Sequence, residues 1–217
     1  MAFTVKNLDR TKVSQLVAAH SDNLANKLNK VANRILDNPS TDITTLQSQY
    51  GPRVAQPIRS TVQESYLSGS SYAAGIQGVD HFTTQRDIQN IAALSDDGEA
   101  SFWRKIQLAR YNPDIPVEAY INSAASDIAH EALNKGTVDK TAQLASNPLA
   151  TFSDTTQYVF RTAGDDRVCP ICQPLEGTIY NDASEIDFGL DIPVHDNCRC
   201  RIIPFNAALE PESEELG

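Results

Sequence analysis

Apolar residues in the first two thirds of the chain recur at steps of three, four and seven, which is the spacing of one face of an α-helix. The clearest run spans residues 13–35 and predicts a long helix with one apolar face. Residues 37–40 (Asp-Asn-Pro-Ser) end it, because proline cannot continue a helix. The apolar positions of this run are Val13, Val17, Leu24, Leu28, Val31 and Ile35.

The second helical segment contains residues that weaken helices. It is predicted to open near Thr41-Asp42 and to be interrupted at Gly51-Pro52, because proline lacks the amide hydrogen that a helix interior uses. The helical period resumes over residues 54–66, where Pro57 either bends the run or sets its start. The small residues at 69–78 fit either a closely packed helix or a flexible connection, and the pattern alone does not separate the two.

Three more helical segments follow. The apolar positions predict helices over residues 84–94 and 99–111, a break at residues 112–116, which contain two prolines, and a further helix over residues 117–134. Trp103 is expected to anchor the core and not to line a ligand site.

The pattern changes after Pro148, where β-branched and aromatic residues become frequent. Residues 155–162 predict a strand, residues 175–180 a turn into a second strand, and residues 200–204 a third. An acidic stretch that is poor in apolar residues follows. The predicted organisation is a helical region (1–150), a β-rich module (151–205) and an acidic, flexible tail (206–217).

The composition of the chain disfavours two classes of protein, duplex-DNA binders and membrane proteins. A net charge of −10 over 217 residues disfavours a duplex-DNA binder, whose affinity comes from neutralising phosphates, and favours protein partners. No apolar run approaches the roughly 20 residues that span a bilayer, so no membrane segment is predicted. The N-terminal residues also lack the cationic and apolar stretches of a secretion signal.

The strongest chemical signal is the position of the cysteines. All four lie between residues 169 and 200, as a Cys-Pro-Ile-Cys pair and, after a spacer, a His-Asp-Asn-Cys-Arg-Cys run. Two close pairs of thiolate and imidazole donors can each wrap one edge of a tetrahedral zinc ion. The candidate ligands are Cys169, Cys172, His195, Cys198 and Cys200.

Five donors are one more than a tetrahedral site needs, so two ligand sets stay open. The preferred set leaves Cys200 in reserve, because the two remaining pairs have the same two-residue gap and can each form a compact turn. If residues 198–200 are extended, both of their sulfurs point to one side, and a four-cysteine site supported by His195 results. Disulfides or free thiols are the remaining alternative, and the lack of a secretion signal disfavours disulfides.

Either ligand set is closed and leaves no position for a water molecule, so we expect structural zinc and no catalytic residues. A zinc deaminase is disfavoured because His130-Glu131 lacks the His-x-Glu spacing. The predicted fold class is therefore α+β, with long helices followed by a small β-rich module stapled by zinc. A module of this size has little core of its own, so the metal would supply much of its stability.

The C-terminal motifs resemble a known family. Asp166-Arg167 precedes the first cysteine pair, Leu175-Glu176-Gly177 follows it, and residues 193–204 contain proline, histidine, Cys-Arg-Cys and a final proline in that order. This order is similar to the C-terminal signature of the head morphogenesis (minor head, Mu F-type) proteins of tailed phages and prophages. Asp196 is a departure, since the family often has proline there. The similarity covers residues 161–204, and the helical part carries no comparable motif.

The resemblance implies a minor structural protein of the virion, which is not an enzyme. It implies association with the portal or the major capsid protein, a place in the head interior or at the portal vertex, host cytoplasm during assembly, and a role in head morphogenesis or DNA retention. Self-association is a further option. We expect the apolar face of residues 13–35 to be the docking surface, unless that face packs in the core of this chain.

A zinc module that binds nucleic acid is the alternative function, followed by a zinc-dependent enzyme. Arginines lie around the cysteine pairs, but carboxylates outnumber them. We therefore expect the arginines to pair with those carboxylates and any contact with nucleic acid to be weak. The acidic and basic residues at 165–167 are expected to cap the turn of the first pair. The arginines are Arg161, Arg167, Arg199 and Arg201.

Overall fold

The structure of the protein is a computed structural model that describes residues 10–76, 79–146, 157–163, 168–188 and 190–205. Of residues 10–14 it describes the backbone alone, so the side chain of Val13 is outside the described part. The charged segment at 165–167, the predicted boundary near residue 150 and the acidic tail at 206–217 also lie outside the described residues. The division of the chain at residue 150 stays a prediction.

Four long helices form the N-terminal part of the described chain: α1 (Arg10–Leu36), α2 (Ile43–Ile76), α3 (Gln85–Tyr111) and α4 (Val117–Ala145). A small antiparallel sheet of three strands follows them. The predicted α+β class, a helical region followed by a small β-rich part, is therefore confirmed. None of the described helices is both long enough and apolar enough to cross a membrane.

Helix α2 runs through Gly51 and Pro52 without the predicted interruption, so that prediction is wrong. Its buried face continues on both sides of Pro52 as Tyr50, Val54 and Ile58, and all three pack in the largest apolar cluster. This packing outweighs the hydrogen bond that Pro52 cannot donate, because tertiary contacts supply most of the stability of a helix in a protein.

Helices α3 and α4 are longer than the periodicity predicts. Helix α3 is continuous where two segments are predicted, and it begins with a capping box: Asp87 N–H donates to Thr84 Oγ1, and Thr84 N–H donates to Asp87 Oδ2. Helix α4 continues well past Asn134. Its apolar period fades there because it packs against all three other helices, so that even Lys140 is fully buried.

The apolar face of α1 belongs to this core. Val17, Leu24 and Leu28 are buried, and α1 packs against both α2 and α4. The expectation that this face is a free docking surface is therefore wrong, and the alternative, packing within the chain, is found. Trp103 is also buried and packs in the largest apolar cluster, as predicted.

Helices α2 and α4 cross at two glycines. A Cβ atom at Gly69 would lie 2.0 Å from the carbonyl oxygen of Leu133, and one at Gly136 would lie 2.0 Å from the carbonyl oxygen of Tyr66. No residue with a side chain fits such a close approach of two backbones. Of the two options for the small-residue stretch, the closely packed helix is found up to residue 76, where α2 ends.

A buried polar cluster lies beside this crossing and joins α2, α3 and α4. The hydroxyl of Tyr66 lies 3.0 Å from Asp87 Oδ1 and 2.9 Å from Asp139 Oδ2. Asn90 Nδ2 donates to Asp139 Oδ2 at 2.7 Å, and Lys135 forms an ion pair with Asp139 at 3.1 Å. Buried polar groups need such partners, and the bonds fix the register of the three helices.

The sheet consists of β1 (Gln157–Arg161), β2 (Ile179–Tyr180) and β3 (Arg201–Phe205), in the order β2-β1-β3. Its strands match the three predicted strands in order. The sheet and its loops form a second apolar cluster, to which α4 contributes Val138. The β-rich part is therefore docked on α4.

The outer edge of β3 cannot accept another strand at its centre. The amide of Ile202 donates to Asn134 Oδ1 on α4 at 3.0 Å, and Pro204 has no amide hydrogen to offer. This contact also ties β3 to the helical core at Ile202, whose side chain packs in the second cluster.

Candidate metal centre

The first cysteine pair forms a tight turn between β1 and β2. The amide of Cys172 donates to the Cys169 carbonyl oxygen at 3.1 Å and approaches Cys169 Sγ at 3.3 Å. Burial raises the pKa of the Cys169 thiol, but the hydrogen bonds from Cys172 and Ile171, together with the nearby His195, lower the pKa below its ordinary value. The turn therefore presents a sulfur that loses its proton readily, as a metal ligand must.

The second pair forms a matching turn directly before β3. The amide of Cys198 donates to the carbonyl oxygen of His195 at 3.0 Å. Asn197, inside the turn, has a φ of 61°, a left-handed conformation that asparagine adopts more readily than most residues. Both two-residue gaps thus form compact turns, as their spacing predicts.

The pairing of β1 with β3 brings the two turns together. His195 Nε2 lies 2.9 Å from Cys169 Sγ and 3.1 Å from Cys172 Sγ. On the other side, Cys172 Sγ lies 3.9 Å from Cys198 Sγ. Around a tetrahedral zinc ion with bonds of about 2.0–2.3 Å, neighbouring ligand atoms are about 3.5–3.8 Å apart. The sulfur–sulfur distance agrees with this range, and the two nitrogen–sulfur distances are about 0.5 Å shorter.

The donor atoms form two overlapping groups among the described residues. Cys169, Cys172 and His195 lie within 4.8 Å of one another, and so do Cys172, Cys198 and Cys200. The five predicted ligands therefore form one cluster that could hold a metal ion. Cys172 is the donor that both groups share, and it is only 2% exposed.

The orientation of His195 suits a metal ligand. Its Nδ1–H donates to the carbonyl oxygen of Asp196 at 2.8 Å, because a carbonyl oxygen can only accept. The neutral ring then carries its lone pair on Nε2, the atom that faces the two sulfurs. A backbone carbonyl in this position fixes the tautomer and the ring orientation in many metal sites.

A hydrogen bond between Cys198 and Cys200 shifts the pKa values of these two thiols in opposite directions. A hydrogen bond from the Cys200 thiol lowers the pKa of Cys198 to about 5, and the same bond raises the pKa of Cys200. Burial raises the pKa of Cys172 to about 12. A metal ion that binds here must displace the protons of Cys172 and Cys200 if it uses them, so its affinity rises with pH.

All four cysteines are free thiols, so the disulfide alternative is not found. Cys169, Cys172, His195 and Cys200 also line a small cavity of about 30 Å³. Thiol and imidazole groups line this cavity, so the space between the donors suits a metal ion.

The helical core contacts the second turn through residues that the cysteine pattern does not reveal. Asp127 Oδ1 on α4 accepts the amide of Asn197 at 2.9 Å, and Lys105 on α3 forms an ion pair with Asp196. Burial raises the pKa of Asp127 to about 6. Asn134 Nδ2 lies 3.4 Å from the carbonyl oxygen of Cys200. These residues are distant in sequence from the cysteines, and no local pattern marks them.

The structure also describes some of the other charged and titratable residues near the cysteine pairs. Arg161 pairs with Glu176 at 3.1 Å, as expected for an arginine near the site, and Glu176 also accepts the amide of Thr162 at 2.6 Å. His130 is buried, and its Nδ1–H donates to the Ser126 carbonyl oxygen at 2.9 Å, so it is a hydrogen-bonded core residue. Arg167 lies outside the described residues.

Comparison of this chain with protein families, with curated proteins and with solved structures finds no match. The fold and the cluster are therefore interpreted from the chain itself.

Proposed function

We propose that the cysteine and histidine cluster binds one structural zinc ion. The observation that carries this proposal is the convergence of two turn-borne donor pairs, with His195 Nε2 within 3.1 Å of both sulfurs of the first pair. Thiolate and imidazole donors in a tetrahedral arrangement favour zinc over calcium and magnesium, which prefer oxygen. The preferred ligands are Cys169, Cys172, His195 and Cys198, with Cys200 as the alternative fourth ligand.

About one zinc per chain is expected in protein purified without chelators, because one closed site has one tetrahedral centre. Metal analysis by mass spectrometry measures this content. The ligand sets are separated by two variants: Cys200→Ser keeps the zinc if the preferred set is correct, whereas His195→Gln keeps it if the four-cysteine set is correct. Zinc content near zero in fresh protein would contradict the proposal.

We further propose that the protein is a minor structural head protein of a tailed virus and not an enzyme. The support is the order of motifs over residues 161–204, which is similar to the signature of the Mu F-type head morphogenesis proteins. A zinc ion with four protein ligands has no open coordination position, which agrees with a structural role. The net charge of −10 disfavours the nucleic-acid-binding alternative.

The proposed partner is the portal or the major capsid protein, in the head interior or at the portal vertex. The apolar face of α1 is not the contact surface, since Leu24 and Leu28 are buried in the core of this chain. A partner must therefore bind a surface that the folded chain exposes. Assembly would take place in the host cytoplasm, before the particle is complete.

A pull-down of particle proteins with this chain as bait, followed by identification by mass spectrometry, is expected to recover the portal protein. The matched control is the same bait after zinc removal, which keeps the helical core but disturbs the metal site. Recovery of nucleic acid that survives moderate salt, with no head protein, would instead favour the nucleic-acid-binding alternative.

A further inference from the structure

One face of α4 is directed at the metal site. Asp127, Asn134 and Val138 are spaced by seven and four residues and so lie on one side of the helix. Asp127 bonds the turn that contains two candidate ligands, Asn134 bonds the segment directly after it, and Val138 packs in the apolar cluster of the sheet. The helical core therefore contacts the ligand-bearing segment at the second turn, at Cys200 and at the sheet.

The contact of Asp127 falls on the turn between His195 and Cys198. The amide that it accepts belongs to Asn197, which has a left-handed φ of 61° and lies between the two donors in the turn. A non-glycine residue in this conformation is uncommon and needs support from its surroundings. Asp127 supplies that support from outside the metal-binding segment.

Lys105 contacts Asp196, the residue directly before Asn197 in the same turn. Its ion pair holds the side chain of Asp196, whose carbonyl oxygen accepts the Nδ1–H of His195. Lys105 is itself largely buried, with 13% of its side chain exposed, so its position is fixed by the helical core. The orientation of the imidazole thus depends on a residue of α3.

The contact of Asn134 falls on the last candidate ligand. Its side chain is fully buried, donates to the carbonyl oxygen of Cys200 at 3.4 Å, and accepts the amide of Ile202 at 3.0 Å. Both hydrogen-bonding ends of this amide are used, so it fixes where the ligand segment passes into β3.

We propose that Asp127, Lys105 and Asn134 are positioning residues for the metal site, so that the helical core sets the affinity of the site for zinc. This inference rests on the proposed zinc site and adds to it the part of the chain that controls it. Partners that orient metal ligands from outside the coordination sphere commonly change metal affinity by 10- to 100-fold when they are removed.

Zinc affinity, measured by competition with a chromophoric chelator, is expected to fall about 10- to 100-fold in Asp127→Ala. Asp127→Asn is expected to restore most of the affinity, because its amide oxygen can still accept the Asn197 amide. Glu118→Ala, an exposed acid-to-alanine change on the same helix, is the control and should bind zinc like the wild type. Unchanged affinity in Asp127→Ala, with the helical signal intact, would overturn the proposal.

Lys105→Met provides a second, independent variant, since it keeps the aliphatic stem and removes the ammonium group, which pairs with Asp196 and donates to Ser123 Oγ at 3.4 Å. It is expected to weaken zinc binding without lowering the helical signal. A variant that merely loosened the whole fold would lower both, and the pair of measurements separates these outcomes.

Thiol alkylation of the proteins as purified, without chelator, gives a second readout of the positioning residues, because the module is expected to need its metal to stay folded. Asp127→Ala is expected to raise the alkylation rate of Cys198 relative to that of Cys169, because only the second turn loses its support. An unchanged ratio would overturn the positioning role even if zinc binds. If the wild type binds no zinc, the zinc proposal fails while this ratio still decides whether α4 holds the turn.

Discussion

Replacing Cys172 by serine is expected to abolish metal binding and to unfold the sheet and its loops, while the four helices stay folded. Cys172 is the donor that both groups of ligands share, so either ligand set loses a thiolate with it. Its side chain is also buried in the second apolar cluster.

The expected size of this effect follows from the energy of structural zinc. Such sites contribute on the order of 10–16 kcal/mol of apparent binding free energy at neutral pH, and this energy is coupled to folding. The module has three short strands and one small apolar cluster. A core of this size supplies only a few kcal/mol, so losing the metal exceeds what the module retains.

Limited proteolysis with mapped cleavage sites measures the outcome. In Cys172→Ser we expect rapid cleavage on the C-terminal side of Pro148, together with a far-ultraviolet helical signal close to that of the wild type. Ile171→Ser is the control, because Ile171 lies in the same turn and is 61% exposed, and it should resist proteolysis like the wild type.

A cooperative loss of the whole helical signal in Cys172→Ser would contradict the expectation that the four helices stay folded. It would mean that the contacts of Asn134 and Val138 with the module make α4 and the sheet a single folding unit. A folded module without metal would contradict the expectation that the sheet and its loops unfold, and would remove the stabilising role of the ion.

The metal cluster could be predicted from sequence because its turns are local. Each pair closes over two residues, as the hydrogen bonds from Cys172 to Cys169 and from Cys198 to His195 show. The strands that carry the pairs were also recognisable from their β-branched and aromatic residues. Which four of the five donors bind the ion depends on distances across the sheet, and no spacing in the sequence contains those.

The contacts that support the cluster could not be predicted, because they join residues 66 to 91 positions apart in sequence, such as Asn134 with Cys200 and Lys105 with Asp196. Sequence spacing also misjudged α2 at Pro52 and α4 beyond Asn134. In both places the cause is tertiary packing. Helix α2 stays continuous at Pro52 because its apolar face is packed on both sides of the proline. Helix α4 is buried on several sides, so its sequence lacks the one-sided apolar period by which a helix is recognised.

The apolar face of α1 shows a different limit of prediction from sequence. An apolar face of this length predicts that something covers it, but the sequence does not say what. Burial of Leu24, Leu28 and Ile35 shows that α2 and α4 cover it. A sequence pattern can therefore predict an interface while leaving open whether the interface lies within the chain or between chains.

Alanine at Gly69 or at Gly136 is expected to destabilise the helical core by about 3 kcal/mol or more, at the upper end of the cost of overpacking. In each case the added Cβ would lie 2.0 Å from a backbone carbonyl oxygen of the opposite helix, and a backbone cannot move aside as a side chain can. The helices must separate, which also strains the hydrogen bonds of Tyr66 with Asp87 and Asp139.

Gly75→Ala is the matched control in the same helix. A Cβ at Gly75 meets nothing within 4 Å, so the substitution is expected to be neutral or to stabilise α2 by up to about 1 kcal/mol, the difference in helix propensity. Urea denaturation followed by far-ultraviolet circular dichroism gives the three free energies of unfolding. Equal effects at Gly69 and Gly75 would contradict the close crossing.

The double substitution Gly69→Ala with Gly136→Ala tests the geometry more strictly. Because both glycines lie at the same crossing of α2 and α4, the separation that admits the first methyl group makes room for the second. The double variant is therefore expected to lose less unfolding free energy than the two single variants lose together, as for neighbouring residues that share one backbone shift. Full additivity would mean that each methyl group is accommodated separately, and that the two helices do not approach as one rigid pair.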